Sequence, residues 1–191
     1  SHPWADPNSH QFHPEYFIQA TEEEKAIVEH VHSIPGLLDE ILDKPAEERT
    51  DFEKTAISIE RVEEHRDGET KVYYFAHGKD PYYEPWIDTL QLDYTNPHLQ
   101  RAMTDQVLEL VRHGVDGVRC DMAHLLLHNR VRETWSDRLA EEQLDFLLQN
   151  AFWPPTIIAA KDEAKRSAYE KALRAGKSEE EALAIRDKTN F

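Results

Sequence analysis

The stretch at residues 114–127, GVDGVRCDMAHLLL, decides the fold that we expect for this chain. Residues 115–120 have the pattern of a short buried strand, and Gly114 follows a helical pattern that it would end. A helix that leads into a strand through a single glycine is the α-to-β step of a parallel βα architecture. The sequence therefore predicts an α/β fold.

Two charged residues stand out on the predicted strand. Arg119 and Asp121 are two residues apart, so a strand would place both side chains on one face. Burying both charges is expensive and requires a reason. One reason is catalysis, in which the guanidinium keeps a nucleophilic carboxylate ionised. The alternative is a structural ion pair at the end of a strand, and spacing alone does not choose between the two.

Helix signals surround this stretch on both sides. Asn96 before Pro97 is a helix start, and apolar residues at helical spacing follow it as far as Gly114. Capping boxes and apolar periodicity predict further helices over residues 21–32, 37–43, 156–175 and 179–188. The last two form a predicted C-terminal hairpin, whose second arm begins at a capping box of Ser178 and Glu181.

The region before Asn96 gives weaker signals. Asp67 and Gly68 mark a turn, and residues 56–62 and 71–76 could form a hairpin around it. Within the charged region at 46–70, Ile57, Ile59 and Val62 could belong to a strand or to a loose helix. Residues 77–95 are expected to be a loop, because prolines interrupt its aromatic residues. Tyr82, Tyr83 and Trp86 suit stacking on sugar rings and suit loop packing equally well.

Composition indicates which classes of partner are disfavoured and which cellular compartment is expected. The net charge of -16 disfavours nucleic acid and anionic membrane surfaces. No run approaches the roughly 18 apolar residues of a membrane span. The first residues show no signal peptide, and the only cysteine, Cys120, is expected in the core. A single cysteine fits a reducing compartment, so we expect a cytoplasmic protein.

Four stretches, in order, resemble the α-amylase family of glycoside hydrolases. DGVRCDMA, at residues 116–123, is similar to the family's fourth-strand motif, which carries the nucleophilic aspartate and the arginine that orients it. WIDTLQLDYTNPHLQRAM, at 86–103, resembles the segment leading into the third barrel helix. HGKDPYYEPW, at 77–86, and SHPWADPNSHQFHPEYFI, at 1–18, resemble the chain between the third strand and that helix.

The resemblance implies part of a (β/α)8 TIM barrel around its third helix and fourth strand. Residues 1–95 would be a loop-rich excursion, 96–155 the barrel segment and 156–191 the helical hairpin. A complete barrel needs roughly 250 residues, so the chain is expected to be a partial domain.

The family's chemistry implies a retaining hydrolase or transglycosylase acting on an oligosaccharide or α-glucan. Asp121 would be the nucleophile, with Arg119 orienting it. Sugar contacts are assigned to His124, Tyr82, Tyr83 and Trp86, although many family members carry lysine at the position of His124 and histidine at Leu125. Retaining glycosidases also need an acid/base carboxylate, and no matching glutamate motif follows residue 121.

Three other interpretations remain open. The first is a non-catalytic α/β domain that keeps the motif as scaffold and binds a partner or a sugar. The second is a metal-dependent hydrolase, which would need three of the 11 histidines around one point. The third is a calcium site, although no cofactor is required. Excursions in this family sometimes bind calcium, and Asp88, Asp93 and Asp116 are the candidate ligands.

Overall fold

The computed structural model describes residues 2–189, and they group into two compact units. The sheet unit comprises the described residues of Ser1–Asp93 together with Asn129–Leu144. The helical unit comprises those of Tyr94–His128 and Asp145–Phe191. Each unit is described by itself below.

The regular elements follow the chain in this order: α1 Glu22–His32, α2 Leu37–Asp43, α3 Asp51–Ile57, β1 Ile59–Arg66, β2 Glu69–Gly78, β3 Trp86–Leu90, α4 Pro97–Arg112, α5 His128–Trp135, α6 Glu141–Gln149, α7 Trp153–Arg174 and α8 Glu179–Lys188. Short 3₁₀ turns lie at Pro14–Tyr16, Ala46–Glu48 and Ala123–Leu126.

Capping explains where the helices of the sheet unit begin. Thr21 forms the predicted capping box with Glu24 at the start of α1, and Thr50 forms an equivalent box with Glu53 at the start of α3. Helices α1 to α3 then bury one apolar cluster, which consists of Val31, Ile41, Ala56 and Ile57. The helices predicted at 21–32 and 37–43 are confirmed.

The hairpin predicted around residues 67–68 is confirmed. Asp67 and Gly68 both have positive φ, 55° and 82°, as a two-residue type I′ turn requires. The register of β1 and β2 runs from Ile59 opposite Ala76 to Arg66 opposite Glu69. Both alternatives left open for Ile57, Ile59 and Val62 occur, because Ile57 ends α3 while Ile59 and Val62 lie on β1.

The loop expected at residues 77–95 contains a strand. β3 pairs antiparallel with the end of β2, and the register shifts between His77 and Gly78. Pro85 immediately precedes this five-residue strand, and its alternation is too short to register as a pattern. The segment at 17–20 also bridges to β2, through Gln19 and Phe75, and to the chain just after β3, through Phe17 and Leu92.

The helical unit is organised by α4 and α7. The Asn96 side chain accepts a hydrogen bond from the His98 amide, which confirms the predicted helix start. Along the interface, the hydroxyls of Thr104 and Thr156 lie 2.9 Å apart. At the far end, Arg112 Nε donates to Glu163 over 3.3 Å.

Helix α7 begins earlier than predicted, because Pro154 and Pro155 occupy its first turn instead of interrupting the chain. Helix α8 packs beside α7 and starts at the predicted capping box of Ser178 and Glu181.

The predicted barrel segment is wrong. Within residues 2–189 the only sheet is the antiparallel order β1-β2-β3, and parallel strands are absent. Residues 115–120, predicted as the buried fourth strand, are irregular and exposed. An apolar run becomes a strand only when a neighbouring strand takes up its backbone hydrogen bonds, and these residues have none. Between residues 2 and 189, no helix is long and apolar enough to span a bilayer.

Candidate functional site

The segment that carries Arg119 and Asp121 is an exposed loop of the helical unit. Gly114, with φ of 88°, ends the α4 region, and the chain then runs irregularly to the 3₁₀ turn at Ala123–Leu126. Alternate side chains of this loop face different surroundings, as they would on a strand. Val118 and Cys120 line an apolar cavity of about 240 Å³, which Trp153 and Ile157 also line.

Arg119 and Asp121 are brought together, but they are not buried. Arg119 Nη2 lies 3.9 Å from Asp121 Oδ1, and the two side chains are 90% and 83% exposed. The expectation of a buried charged face is therefore wrong, and so is that of a core position for Cys120, which is exposed. An exposed ion pair adds little stability, so this pair is not there to hold the fold together.

The backbone immediately after Asp121 adopts a conformation that side chains disfavour. Met122 has φ of 54° and ψ of 27°, in the left-handed region. A non-glycine residue there costs about 1–2 kcal/mol, and such residues concentrate at functional sites. This feature could not be predicted from the sequence, because methionine carries no preference for the left-handed region.

The turn that follows is anchored from α7. Trp153 Nε1 donates a hydrogen bond to the carbonyl oxygen of Ala123 over 3.0 Å. His124 lies in this turn and is exposed, so its imidazole is accessible to a ligand. The anchor fixes the C-terminal end of the loop that carries Asp121.

The predicted aromatic contacts belong to the sheet unit and surround the β2–β3 connection. Tyr82 and Tyr83 are 67% and 75% exposed, and Trp86 is half-buried. The carboxylate of Asp80 accepts hydrogen bonds from the backbone amides of both tyrosines, at 2.8 and 2.9 Å. The rings are therefore presented outward by a turn of fixed geometry, as a stacking surface requires.

Tyr82 is further held by a cation. Arg130 Nη1 donates to the Tyr82 hydroxyl over 2.8 Å, and its guanidinium lies 5.8 Å from the ring centroid. Hydrogen bonding to Tyr82 and then to Glu133 raises the pKa of Arg130. Among residues 2–189 Tyr83 has no such hydrogen bond or cation–π contact, and its ring is the freer of the two.

The metal-binding alternatives receive no support from side-chain geometry. Within residues 2–189, no three or more His, Cys, Asp or Glu side chains converge on a point that could hold a metal ion. This applies to the histidines considered for a hydrolase and to the three aspartates considered for calcium.

Comparisons with models of known protein families, with characterised proteins and with solved structures give no match for this chain. The resemblance to the α-amylase family therefore depends on the four quoted stretches of sequence alone.

Proposed function

We propose that this chain carries the nucleophile, Asp121, of a retaining glycoside hydrolase or transglycosylase of α-glucans. One observation carries the proposal. The carboxylate of Asp121 is accessible and lies 3.9 Å from the guanidinium of Arg119, on the loop whose sequence resembles the family's fourth-strand motif. The pair is exposed and so adds little stability, and the strained residue Met122 follows it directly. An exposed position suits a group that must reach a substrate.

The proposed reaction assigns one step to Asp121. Its carboxylate attacks the anomeric carbon, the bond to the leaving oxygen breaks, and a glycosyl ester forms. Arg119 orients the carboxylate, and His124 contacts the sugar. In the sheet unit, the exposed rings of Tyr82 and Tyr83 and the half-buried ring of Trp86 are candidate stacking surfaces for sugar rings. A second carboxylate must protonate the leaving oxygen of a natural substrate, and we assign none.

The nucleophile can be tested without that second carboxylate. In 5-fluoro-α-D-glucosyl fluoride the leaving group is fluoride, which departs without protonation, and the ring fluorine slows hydrolysis of the ester. We expect one fluoroglucosyl group to accumulate on the folded chain. Peptide mass spectrometry should locate it on Asp121.

Two variants provide the controls. Asp121→Asn should abolish labelling because an amide is a poor nucleophile. Asp116→Asn changes another exposed aspartate of the same loop and should leave labelling intact. Labelling that survives Asp121→Asn, or a folded wild-type chain that stays unlabelled, would overturn the proposal.

A second candidate is a non-catalytic domain that binds a sugar or a partner. It is favoured by the packing of α7 along α4, which gives the described part of the helical unit a core of its own without any strand. Maltooligosaccharide binding measured by calorimetry separates the candidates. Binding that is equal in the wild type and in Asp121→Asn, without covalent labelling, supports this second candidate.

A further inference from the structure

The sheet unit contains a cleft whose charged side chains have no role in the reaction proposed for Asp121. Its volume is about 370 Å³, and it lies beside the β2–β3 connection and the end of α5. Seven charged side chains line it: Lys54, Lys79, Arg138, Glu24, Asp80, Glu133 and Asp137. Their individual partners show which of them is available to a ligand.

Most of these charges are already engaged. Arg138 is almost fully buried and forms an ion pair with Glu24. Asp80 accepts the two backbone hydrogen bonds described above, and Glu133 accepts from Arg130 over 2.7 Å.

Three charged side chains of the cleft remain: Asp137 on its exposed rim and two lysines, which differ. Lys54 Nζ lies 3.7 Å from a carboxylate oxygen of Glu84. Lys79 has no hydrogen bond or ion pair with any residue that the structure describes. Among the described residues, Lys79 is therefore the cation of the cleft that no carboxylate or hydrogen-bond acceptor holds.

Lys79 shares an aromatic ring with a second cation. Its Nζ lies 4.8 Å from the ring centroid of Trp135, and the Arg138 guanidinium lies 5.2 Å from the same centroid. Burial and then repulsion from Arg138 lower the pKa of Lys79, while the charges of Asp137 and Glu24 oppose the shift. A partly buried amine beside another cation is the setting that activates lysine as a nucleophile.

We propose that the Lys79 amine is a covalent attachment site for a small aldehyde or ketone that enters this cleft. The nitrogen lone pair attacks the carbonyl carbon and gives a carbinolamine. Loss of water then forms the carbon–nitrogen double bond of an imine, and solvent takes and returns the protons. No oxidant or reductant is needed.

Pyridoxal 5′-phosphate, followed by borohydride, tests this site on the whole chain. Borohydride reduces the imine to a stable amine, and peptide mass spectrometry then gives the label on each lysine. Lys71 is the matched control, since its Nζ lies 4.9 Å from the centroid of Tyr73 but the side chain is exposed. At neutral pH we expect Lys79 to take at least about threefold more label than Lys71.

A variant on the rim of the cleft tests the electrostatic basis. Asp137 is exposed, and its charge opposes the activation of Lys79, so Asp137→Asn should increase the label on Lys79 and leave Lys71 unchanged. Label on Lys79 that is equal to or below that on Lys71, in a chain with native circular dichroism, would refute the proposal. So would an unchanged or lower label in Asp137→Asn. Neither result depends on Asp121.

Discussion

Gly78 is the position at which a single methyl group should be least tolerated in the sheet unit. A Cβ added there would lie 2.6 Å from Thr89 Oγ1 and 3.4 Å from Trp86 Cε3. The Thr89 hydroxyl cannot move away freely, because it donates a hydrogen bond to the Trp86 carbonyl oxygen over 3.0 Å. Gly78→Ala must therefore displace that hydroxyl and press on the indole.

The expected size of the effect follows from three contributions. Overpacking costs about 1–3 kcal/mol, and losing an exposed hydrogen bond costs about 0.5–1 kcal/mol. Replacing a glycine that needs no positive φ returns about 0.4–1 kcal/mol through the unfolded chain. Gly78→Ala should thus lower the free energy of unfolding by about 1–2 kcal/mol, measured by urea denaturation with circular dichroism.

The contact at Thr89 can be separated from any general effect of the substitution. In a Thr89→Ala background the nearest obstacle is gone, so Gly78→Ala should be neutral or stabilising there. Thr89→Val keeps a methyl group where the hydroxyl was and should not rescue. The coupling energy between positions 78 and 89 should be about 1–2 kcal/mol. An equal cost of Gly78→Ala in the wild-type and Thr89→Ala backgrounds would show that this contact is not the cause.

Two further predictions concern pH and the loop anchor. A hydrogen bond from the Lys44 ammonium, followed by one from the Thr50 amide, lowers the pKa of Glu53 from 4.5 to about 2. The stability that the ionised Glu53 contributes is therefore complete above pH 4.5 and is lost as the pH falls towards 2. Urea midpoints should fall over that window in the wild type and fall less in Glu53→Gln; parallel curves would contradict this. Trp153→Phe removes the hydrogen bond to Ala123, so amide exchange at residues 119–126 should quicken by about 5- to 10-fold, corresponding to about 1 kcal/mol. Unchanged amide exchange at residues 119–126 would show that the hydrogen bond from Trp153 does not hold this loop.

The features that the sequence predicted correctly are local. Thr21, Asn96 and Ser178 each cap a helix through a side chain that reaches an amide two or three residues away, so a short window contains the whole interaction. The turn at residues 67–68 is equally local. Such features depend little on the rest of the chain.

The errors arise where distant residues decide the outcome. Residues 115–120 have the composition of a buried strand, but a strand needs a partner, and composition does not say whether one is present. For the candidate site, spacing alone predicted that Arg119 and Asp121 lie together. It could not predict their exposure, the left-handed backbone at Met122 or the cleft in which Lys79 meets Trp135 across 56 positions of sequence.

The outer strand of the sheet also bears on how the molecule behaves at high concentration. β1 lies at an edge of the sheet, where unpaired backbone groups invite another chain to add a strand. Its sequence, IERVEEHR, places charged or titratable side chains along that edge, and Arg61 is tied into ion pairs with Glu29 and Glu63. An incoming strand would have to strip water from these charges and approach a chain of net charge -16. β1 thus carries its own protection against the fibril-like growth that a free strand edge invites.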